Sequence, residues 1–521
     1  MTRYLYRFYL YTVFIAFLSL ASMAIERLLN TVLALTPLRN ASTSVPGSAA
    51  LGQAVVFAII ALLISGGLGG LHYWLLRRDM LHDPDAVNSG IRAFFLNLGE
   101  AVWGLRAAFL IGFQILYPLG NNADGSVVSE IAAAVPALGI VLLLALEHRR
   151  ARITATSGPG ITWQRLHFYG AQILFLFFST IMLWISFRPF FIGLFFDSKA
   201  MPEDCNSNYC STYNLVFLGA AMLWMGACWI LYGLLTTGDR SVRLRLLLHT
   251  AGLAYGIAFI MYGAYQLLNF GLGPLFYLSV SLHDVFGLSV AHDFATPLAL
   301  GLCVAGVYHL WLRKTARQGL LVKSTVSLTE LAVVTVLVAA AFWWGCGYAF
   351  YNLLQYLMPT PAAPASSVWI QPIALIIVGL AYIPLDLYLR RRSTTDVSTT
   401  APRRGQVVAL LGGGILAFAI GGVMALYSWL IASLGSPTDN WQQLVHTGLA
   451  IFLVGAILIG LYLRSAMVKY QIASPAKQTE APVISNETSP VAEDGTIEAL
   501  LDELLSGRAT RDEVASRIRR M

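Results

Sequence analysis

Two ionisable side chains interrupt an apolar stretch that begins near Phe94. Glu100 and Arg106 lie six residues apart, so they occupy different faces of a helix and do not form an i, i+4 ion pair. Because charged groups are costly in hydrocarbon, each is a candidate functional residue. For Glu100, a packing hydrogen bond and a substrate or proton site are equally good interpretations. For Arg106, a packing role is favoured.

The segment LHDVFGLSVAHDF has the composition of a metal site. It pairs His283 with Asp284 and His292 with Asp293, and imidazole with carboxylate suits a divalent transition metal. The pairs are nine residues apart, which would place them on opposite faces of an unbroken helix. A metal site would therefore require a break, for example at Gly287, and solvated loop residues are the favoured interpretation.

The other histidines do not indicate a cofactor. His72, His148, His167, His249 and His309 fall near one end of an apolar stretch, where interfacial side chains are expected. Haem needs histidines that face one another across helices. His249 and His309 could pair across one hairpin, but no single stretch carries two histidines at the spacing that stacks two haems. We predict no cofactor and no catalytic residue, and the chain has no GxxxxGK[ST], HExxH, GxSxG or CxxCH motif.

Two of the five cysteines lie in the polar loop MPEDCNSNYCS. A disulfide between Cys205 and Cys210 is expected if this loop faces an oxidising compartment. A metal pair is the weaker interpretation, because the loop contains no histidine.

The composition indicates what surrounds the protein. Apolar residues make up 57% of the chain and charged residues 12%, and the mean hydropathy is +0.67. Soluble domains carry roughly 25% charged residues to cover their surface. The net charge of +7 comes from short clusters between apolar stretches, so nucleic acid is not an expected partner and the lipid bilayer is.

Twelve apolar stretches are long enough for a transmembrane helix, which needs about 20 residues. They begin near Leu10, Leu51, Phe94, Ile131, Phe168, Leu215, Leu247, Phe294, Leu331, Ile370, Val407 and Leu444. Hydrocarbon offers the backbone no hydrogen-bond partner, so the predicted fold class is all-α, a polytopic helical membrane bundle. The first stretch also has the basic start of a signal peptide, but we expect it to remain as an uncleaved span.

The basic residues predict the orientation of this bundle. They cluster at the N terminus and in the connections after the even-numbered stretches, whereas the opposite loops hold only Arg39 and Lys199. This asymmetry predicts an N-in/C-in topology, with both termini in the cytoplasm and the loop of Cys205 and Cys210 outside.

The outer ends of the odd-numbered stretches resemble one another. A polar residue, usually after an aromatic one, recurs at Arg27, Gln114, Arg188, Gln266, Asn352 and Ser428. The pattern predicts six parallel two-helix hairpin repeats at about 1–85, 86–158, 159–240, 241–322, 323–402 and 403–470. For this polar column, helix capping and packing at the outer interface are favoured over the lining of an outer vestibule.

The end of the chain differs in composition from the rest. Residues 471–495 are rich in Pro, Ser, Thr and Glu, which predicts a disordered linker. Residues 496–521 have the pattern of two short amphipathic helices. So small a pair buries little apolar surface, and we expect it to fold against a cytoplasmic protein partner.

The opening YRFYLYTVFIAFLSLASMAIERLLNTVL resembles a tandem-repeat family of prokaryotic integral-membrane domains of unknown function, of the domain of unknown function 5671 type. The aromatic and apolar pattern of the first hairpin carries the resemblance, and the later hairpins carry it more loosely. It implies the cytoplasmic (plasma) membrane of a prokaryote and assigns no activity.

Two classes of function remain open, and neither is predicted to be an enzyme. The favoured class is a non-catalytic membrane scaffold or complex subunit whose tail recruits a partner. The alternative is a secondary transporter or channel for a small solute or ion, for which twelve spans and internal repeats are the usual size. A membrane redox protein is a distant third.

Overall fold

A computed structural model describes residues 2–36, 45–120, 127–153, 158–195, 212–239, 241–276, 288–318, 323–358, 369–392, 400–434 and 440–472. All regular secondary structure in these ranges is helical. Within the described ranges, twelve segments are long and apolar enough to cross a membrane, and each contains the start of one of the twelve predicted stretches. The prediction of a multi-pass helical membrane bundle is therefore confirmed.

We number these segments spans 1 to 12 in chain order. Their helices are Thr2–Leu33 (span 1), Ser48–Ile64 with Gly70–His82 (span 2), Gly90–Phe109 with Tyr117–Gly120 (span 3), Val128–Arg150 (span 4), Pro159–Phe195 (span 5), Thr212–Thr237 (span 6), Val242–Phe276 (span 7), Leu288–Arg317 (span 8), Lys323–Leu357 (span 9), Ile370–Gly379 with Tyr382–Arg392 (span 10), Thr400–Ser433 (span 11) and Trp441–Ile472 (span 12).

The outer surface of the spans is apolar. Large hydrophobic side chains such as Leu63, Leu223 and Val408 are 70%, 76% and 70% exposed. A contiguous surface of this kind is unfavourable in water and suits the hydrocarbon of a bilayer. Several polar and charged groups are buried inside, and Arg92 and Arg245 are among the most deeply buried side chains.

Consecutive spans pack in pairs, 1 with 2, 3 with 4, 5 with 6, 7 with 8 and 9 with 10. Glycines let several of these helices approach closely, as small residues do in membrane bundles. A Cβ on Gly301 of span 8 would lie 2.6 Å from the carbonyl oxygen of Gly256 on span 7. In spans 11 and 12, a Cβ on Gly421 would lie 2.6 Å from the carbonyl oxygen of Gly448.

Two spans contain a π-helical segment, at Ser65–Gly69 of span 2 and Leu110–Leu116 of span 3. The first covers most of the sequence GGLGG, and a Cβ on Gly66 or Gly67 would meet no neighbour within 4 Å. These two glycines leave open space. Span 11 has a second glycine-rich sequence, GGG at residues 412–414, and there Gly414 packs against Leu458. The two glycine-rich sequences thus have different structural consequences.

The chain divides into two compact units, Met1–Leu463 and Arg464–Met521. Of the second unit, the structure describes only the helical residues Arg464–Ile472. The predicted linker after Ile472 and the tail at 496–521 lie outside the described residues.

Candidate functional site

Glu100 of span 3 is paired with a histidine of span 4. Its Oε1 lies 2.5 Å from Nδ1 of His148. The side chains are 10% and 16% exposed, so the pair lies within the bundle. A hydrogen bond between an acid and an imidazole this close can hold one proton on either partner.

A second imidazole, that of His167 on span 5, lies beside this pair. Its Nδ1 is 3.7 Å from Oε2 of Glu100 and 3.0 Å from Oδ1 of Asn97. Its Nε2 is 3.2 Å from the hydroxyl of Tyr232 on span 6. The cluster of Asn97, Glu100, His148, His167 and Tyr232 therefore joins four consecutive spans, and we call it the acid–imidazole cluster.

The hydrogen bonds of Asn97 indicate the tautomer of neutral His167. The Nδ2 of Asn97 donates to the carbonyl oxygen of Ala93 at 2.7 Å, so its Oδ1 is an acceptor for His167. Neutral His167 then carries its proton on Nδ1, and its Nε2 accepts from the hydroxyl of Tyr232. If His167 gains a proton, Nε2 becomes a donor and the Tyr232 hydroxyl can rotate to accept.

Buried contacts at the end of span 4 hold the cluster in position. Arg92, at the start of span 3, donates from Nη2 to the carbonyl oxygen of Ala151 at 2.8 Å and from Nη1 to that of Val87 at 3.1 Å. Glu147, next to His148, accepts from the hydroxyl of Tyr73 on span 2 at 2.8 Å. These bonds fix span 4 relative to spans 2 and 3, and hence place His148 beside Glu100.

Arginine–aspartate pairs join the ends of spans 1 and 2 and of spans 5 and 6. Arg7 contacts Asp79 and Asp83 at 2.6 Å each, and Arg165 contacts Asp239 at 3.0 Å. The hydrogen bond from Arg7 is the main cause that holds the pKa of Asp83 below its usual value. Partial burial raises the pKa of Asp239, but the hydrogen bonds from Arg165 and the Ser241 backbone outweigh it and lower that pKa.

Arg106 does not join the acid–imidazole cluster. It pairs with Glu26 of span 1 at 2.8 Å, and its guanidinium lies 5.4 Å from the centre of the Trp103 ring. Both charged side chains of this pair are about one third exposed. The contact agrees with the favoured packing role, since it ties span 3 to span 1.

The polar column has mixed surroundings. Arg27 lies over the ring of Phe57, Gln114 is exposed within the second π-helical segment, and Gln266 donates to the Tyr262 hydroxyl at 2.6 Å. Asn352 and Ser428 are buried at 1% and 5% exposure. The side chain of Arg188 lies outside the described residues. The described contacts of this set lie partly within the bundle and partly on its surface.

Several predicted site residues lie outside the described part of the chain. These are Cys205 and Cys210, His283 and Asp284, and the side chains of His292 and Asp293, whose backbone belongs to the helix Leu288–Arg317. Among the described residues, no group of three or more His, Cys, Asp and Glu side chains is arranged to hold a metal ion.

A second acid–imidazole pair joins spans 8 and 9. Nδ1 of His309 lies 3.0 Å from Oε1 of Glu330. Both line a cavity of about 600 Å³, together with Ser327, Tyr388 and Arg392. His249 and His309, considered above as a possible pair of haem ligands, have different partners. His309 contacts Glu330, whereas His249 packs against the rings of Tyr308 and Trp311.

The prediction that histidines near helix ends are interfacial is wrong for His167 and His249, which are 7% and 0% exposed. Sequence position gives depth along a helix, but burial depends on which face meets a neighbour. Of the acid–imidazole cluster, sequence reasoning singled out only Glu100. Asn97, three positions before Glu100, lies on the same face of the helix. Two polar residues on one face of an apolar helix indicate that this face points into the bundle.

The fold and the cluster define a multi-pass helical membrane protein with buried, paired ionisable groups in its interior. Comparisons of the chain with protein-family models, with curated proteins and with solved structures found no match.

Proposed function

We propose that the protein is a secondary transporter for a small solute or ion, linked to proton movement through Glu100 and His148. The observation that carries the proposal is the acid–imidazole cluster, in which hydrogen-bonded titratable groups join spans 3 to 6. Ionisable groups are expensive inside a membrane and mark ion or proton pathways when they face a bundle interior. This observation favours transport over a purely structural role.

The Glu100–His148 pair can gain and lose a proton without losing its hydrogen bond. When the pair is deprotonated, neutral His148 donates from Nδ1 to the carboxylate. When it is protonated, the same contact joins either a carboxylate to an imidazolium or a carboxylic acid to an imidazole. Only the net charge of the site changes. His167 and Tyr232 offer the next groups along which a proton can move.

The surrounding topology is part of the proposal. We propose N-in/C-in insertion in a prokaryotic plasma membrane, with six parallel hairpins, as the basic connections and the family resemblance indicate. The contacts between consecutive spans support the hairpins. Arg7 and Arg165 support them further, because each joins the start of an odd span to the end of the following even span.

The test is solute-dependent proton movement. The full chain is reconstituted in liposomes that contain a pH-sensitive dye, and a panel of amino acids, sugars, carboxylates and inorganic ions is added outside. We expect one solute class to change the internal pH with wild-type protein. Glu100→Gln should abolish this change, whereas Arg106→Gln, which removes the contacts with Glu26 and Trp103 outside the acid–imidazole cluster, should retain it. If Glu100→Gln supports proton movement at the wild-type rate, Glu100 is not the coupling residue and the proposal fails.

The second candidate function is a complex subunit that recruits a cytoplasmic partner. The amphipathic pattern of residues 496–521 favours it, because helices this short need another surface to fold. Purification from native membranes with and without residues 473–521 tests it. A stoichiometric partner that is lost on truncation supports recruitment, and a truncated protein with an unchanged set of partners contradicts it.

A further inference from the structure

Spans 1, 2 and 4 enclose a cavity of about 580 Å³ that is open on one side. Its walls are almost entirely apolar, with Phe17 on span 1, Leu62 on span 2 and Leu143 on span 4. The volume is within the range of roughly 300–1,000 Å³ that is typical of ligand sites. We call this cavity the lateral groove.

The lateral groove exists because glycines line its walls at positions where a side chain would fill the space. Gly66, in the π-helical segment of span 2, and Gly139 of span 4 both line it. A Cβ at either position would meet no atom within 4 Å. A larger side chain at these positions would project into open space, so the groove can be filled by substitution without a clash with the protein.

The groove has the length of one membrane leaflet. It extends over twelve residues of span 2, from Leu62 to Tyr73, and over twelve residues of span 4, from Gly139 to Arg150, so each wall covers eleven helical steps. At 1.5 Å per residue this is about 16 Å. The hydrocarbon core of a bilayer is about 30 Å thick, so the apolar part of the groove matches the acyl chains of a single leaflet.

Only one end of the groove is polar, and it is basic. The exposed Arg150 lies there, with Nη1 3.4 Å from the hydroxyl of Tyr73. Arg77 lies 5.9 Å from the centre of the Tyr73 ring and adds a second cation. Glu147, the acid bonded to Tyr73, is buried and accepts from the Tyr73 hydroxyl, and the partly exposed Asp79 further along span 2 is paired with Arg7. The exposed charge at this end is therefore positive.

We propose that the lateral groove binds one anionic phospholipid, with an acyl chain along Gly66 and Gly139 and the phosphate at Arg150. Basic groups at the edge of the hydrocarbon attract anionic headgroups, and the uncharged walls suit only the acyl chain. The bound lipid would lie against Tyr73, whose hydroxyl donates to Glu147, the residue before His148 in span 4. The proposal concerns binding alone and does not depend on transport activity.

The test measures lipid that stays bound to the full chain after purification in detergent. Native mass spectrometry counts phosphatidylglycerol and phosphatidylcholine per protein after equilibration with mixed micelles that contain both. We expect one phosphatidylglycerol per wild-type chain. Gly66→Leu, which fills the groove, should lower its occupancy roughly tenfold. Gly67→Leu is the matched control, because this glycine is also free of neighbours but does not line the groove.

Arg150→Gln tests the headgroup. It should lower the preference for phosphatidylglycerol over phosphatidylcholine about fivefold, which is the effect of one basic residue near the surface. If Gly66→Leu does not fold, Gly139→Leu fills the groove from the opposite wall. Three results would overturn the proposal. The first is a groove-filling variant that binds as much phosphatidylglycerol as wild type, and the second is a lipid preference that Arg150→Gln does not change. The third is a wild-type protein that retains no phospholipid, whether it is purified alone or with another protein chain.

Discussion

The Oε1 atom of Glu100 and the Nδ1 atom of His148 lie 2.5 Å apart and join spans 3 and 4 inside the bundle. Loss of either partner leaves the other buried without its hydrogen bond, which costs about 1–3 kcal/mol. We therefore expect Glu100→Leu and His148→Leu, which cannot form this hydrogen bond, each to lower the free energy of unfolding by about that amount. The double variant should lose at least about 1 kcal/mol less than the sum of the two single variants. Denaturant unfolding in detergent micelles measures all three.

The control for this double-mutant cycle is Arg106→Gln combined with His148→Leu. Arg106 contacts Glu26 and not the acid–imidazole cluster, so the two effects should add. Strict additivity of Glu100→Leu and His148→Leu would mean that the two side chains do not interact.

The packing of spans 11 and 12 should depend on Gly421. A Cβ at this position would lie 2.6 Å from the carbonyl oxygen of Gly448, and backbone cannot move away as a flexible side chain can. We expect Gly421→Leu to destabilise the protein by about 1–3 kcal/mol or more. Gly412→Leu, in the same helix but with no neighbour within 4 Å, should leave the unfolding temperature unchanged. Equal unfolding temperatures for the two variants would show that the helices do not approach closely at Gly421.

Buried His249 should be replaceable by an apolar ring. It is 0% exposed, its two ring nitrogens have no hydrogen-bond partner in the described part of the chain, and it packs against Tyr308 and Trp311. Since an unsatisfied buried polar group costs about 1–3 kcal/mol, we expect His249→Phe to raise the unfolding temperature.

The matched comparison is His167→Phe, because His167 is similarly buried but is bonded to Asn97 and Tyr232. This variant should lower the unfolding temperature. A lower temperature for His249→Phe as well would indicate that a bound water or solute satisfies His249.

Acid should weaken the contact between Arg165 and Asp239. The pKa of Asp239 is lower in the folded protein than in the unfolded chain, so the contact stabilises the fold above about pH 4. This stability is lost as the pH falls through the folded-state pKa. At pH 7, Asp239→Asn should lower the unfolding temperature by up to about 1 °C, as expected for a partly exposed ion pair in a chain of this length. The difference from wild type should shrink towards pH 3.

Thermal unfolding between pH 3 and pH 7 measures this dependence. Asp85→Asn is the control, because its exposed side chain forms no ion pair in the described part of the chain. A wild-type minus variant difference that is constant across this pH range would contradict the assignment.

The amino-acid pattern was sufficient to predict the class of fold. Twelve long apolar stretches with few charges leave the backbone only one way to satisfy its hydrogen bonds in hydrocarbon, and the described residues contain twelve such helices. Glu100 was recognisable as a candidate for the same reason, since a lone carboxylate in an apolar stretch must be compensated by a partner. These conclusions follow from local composition and helix length.

The partners of these residues were decided by tertiary structure. His148 and His167 lie 48 and 67 positions after Glu100 in the sequence, and nothing local shows that their helices meet its face. The same holds for the lateral groove, because Gly66 and Gly139 are unremarkable until spans 2 and 4 are placed against span 1. Composition sets which segments enter hydrocarbon, but contacts between distant segments depend on how whole helices pack. That packing determines which buried groups find a partner and where a cavity remains.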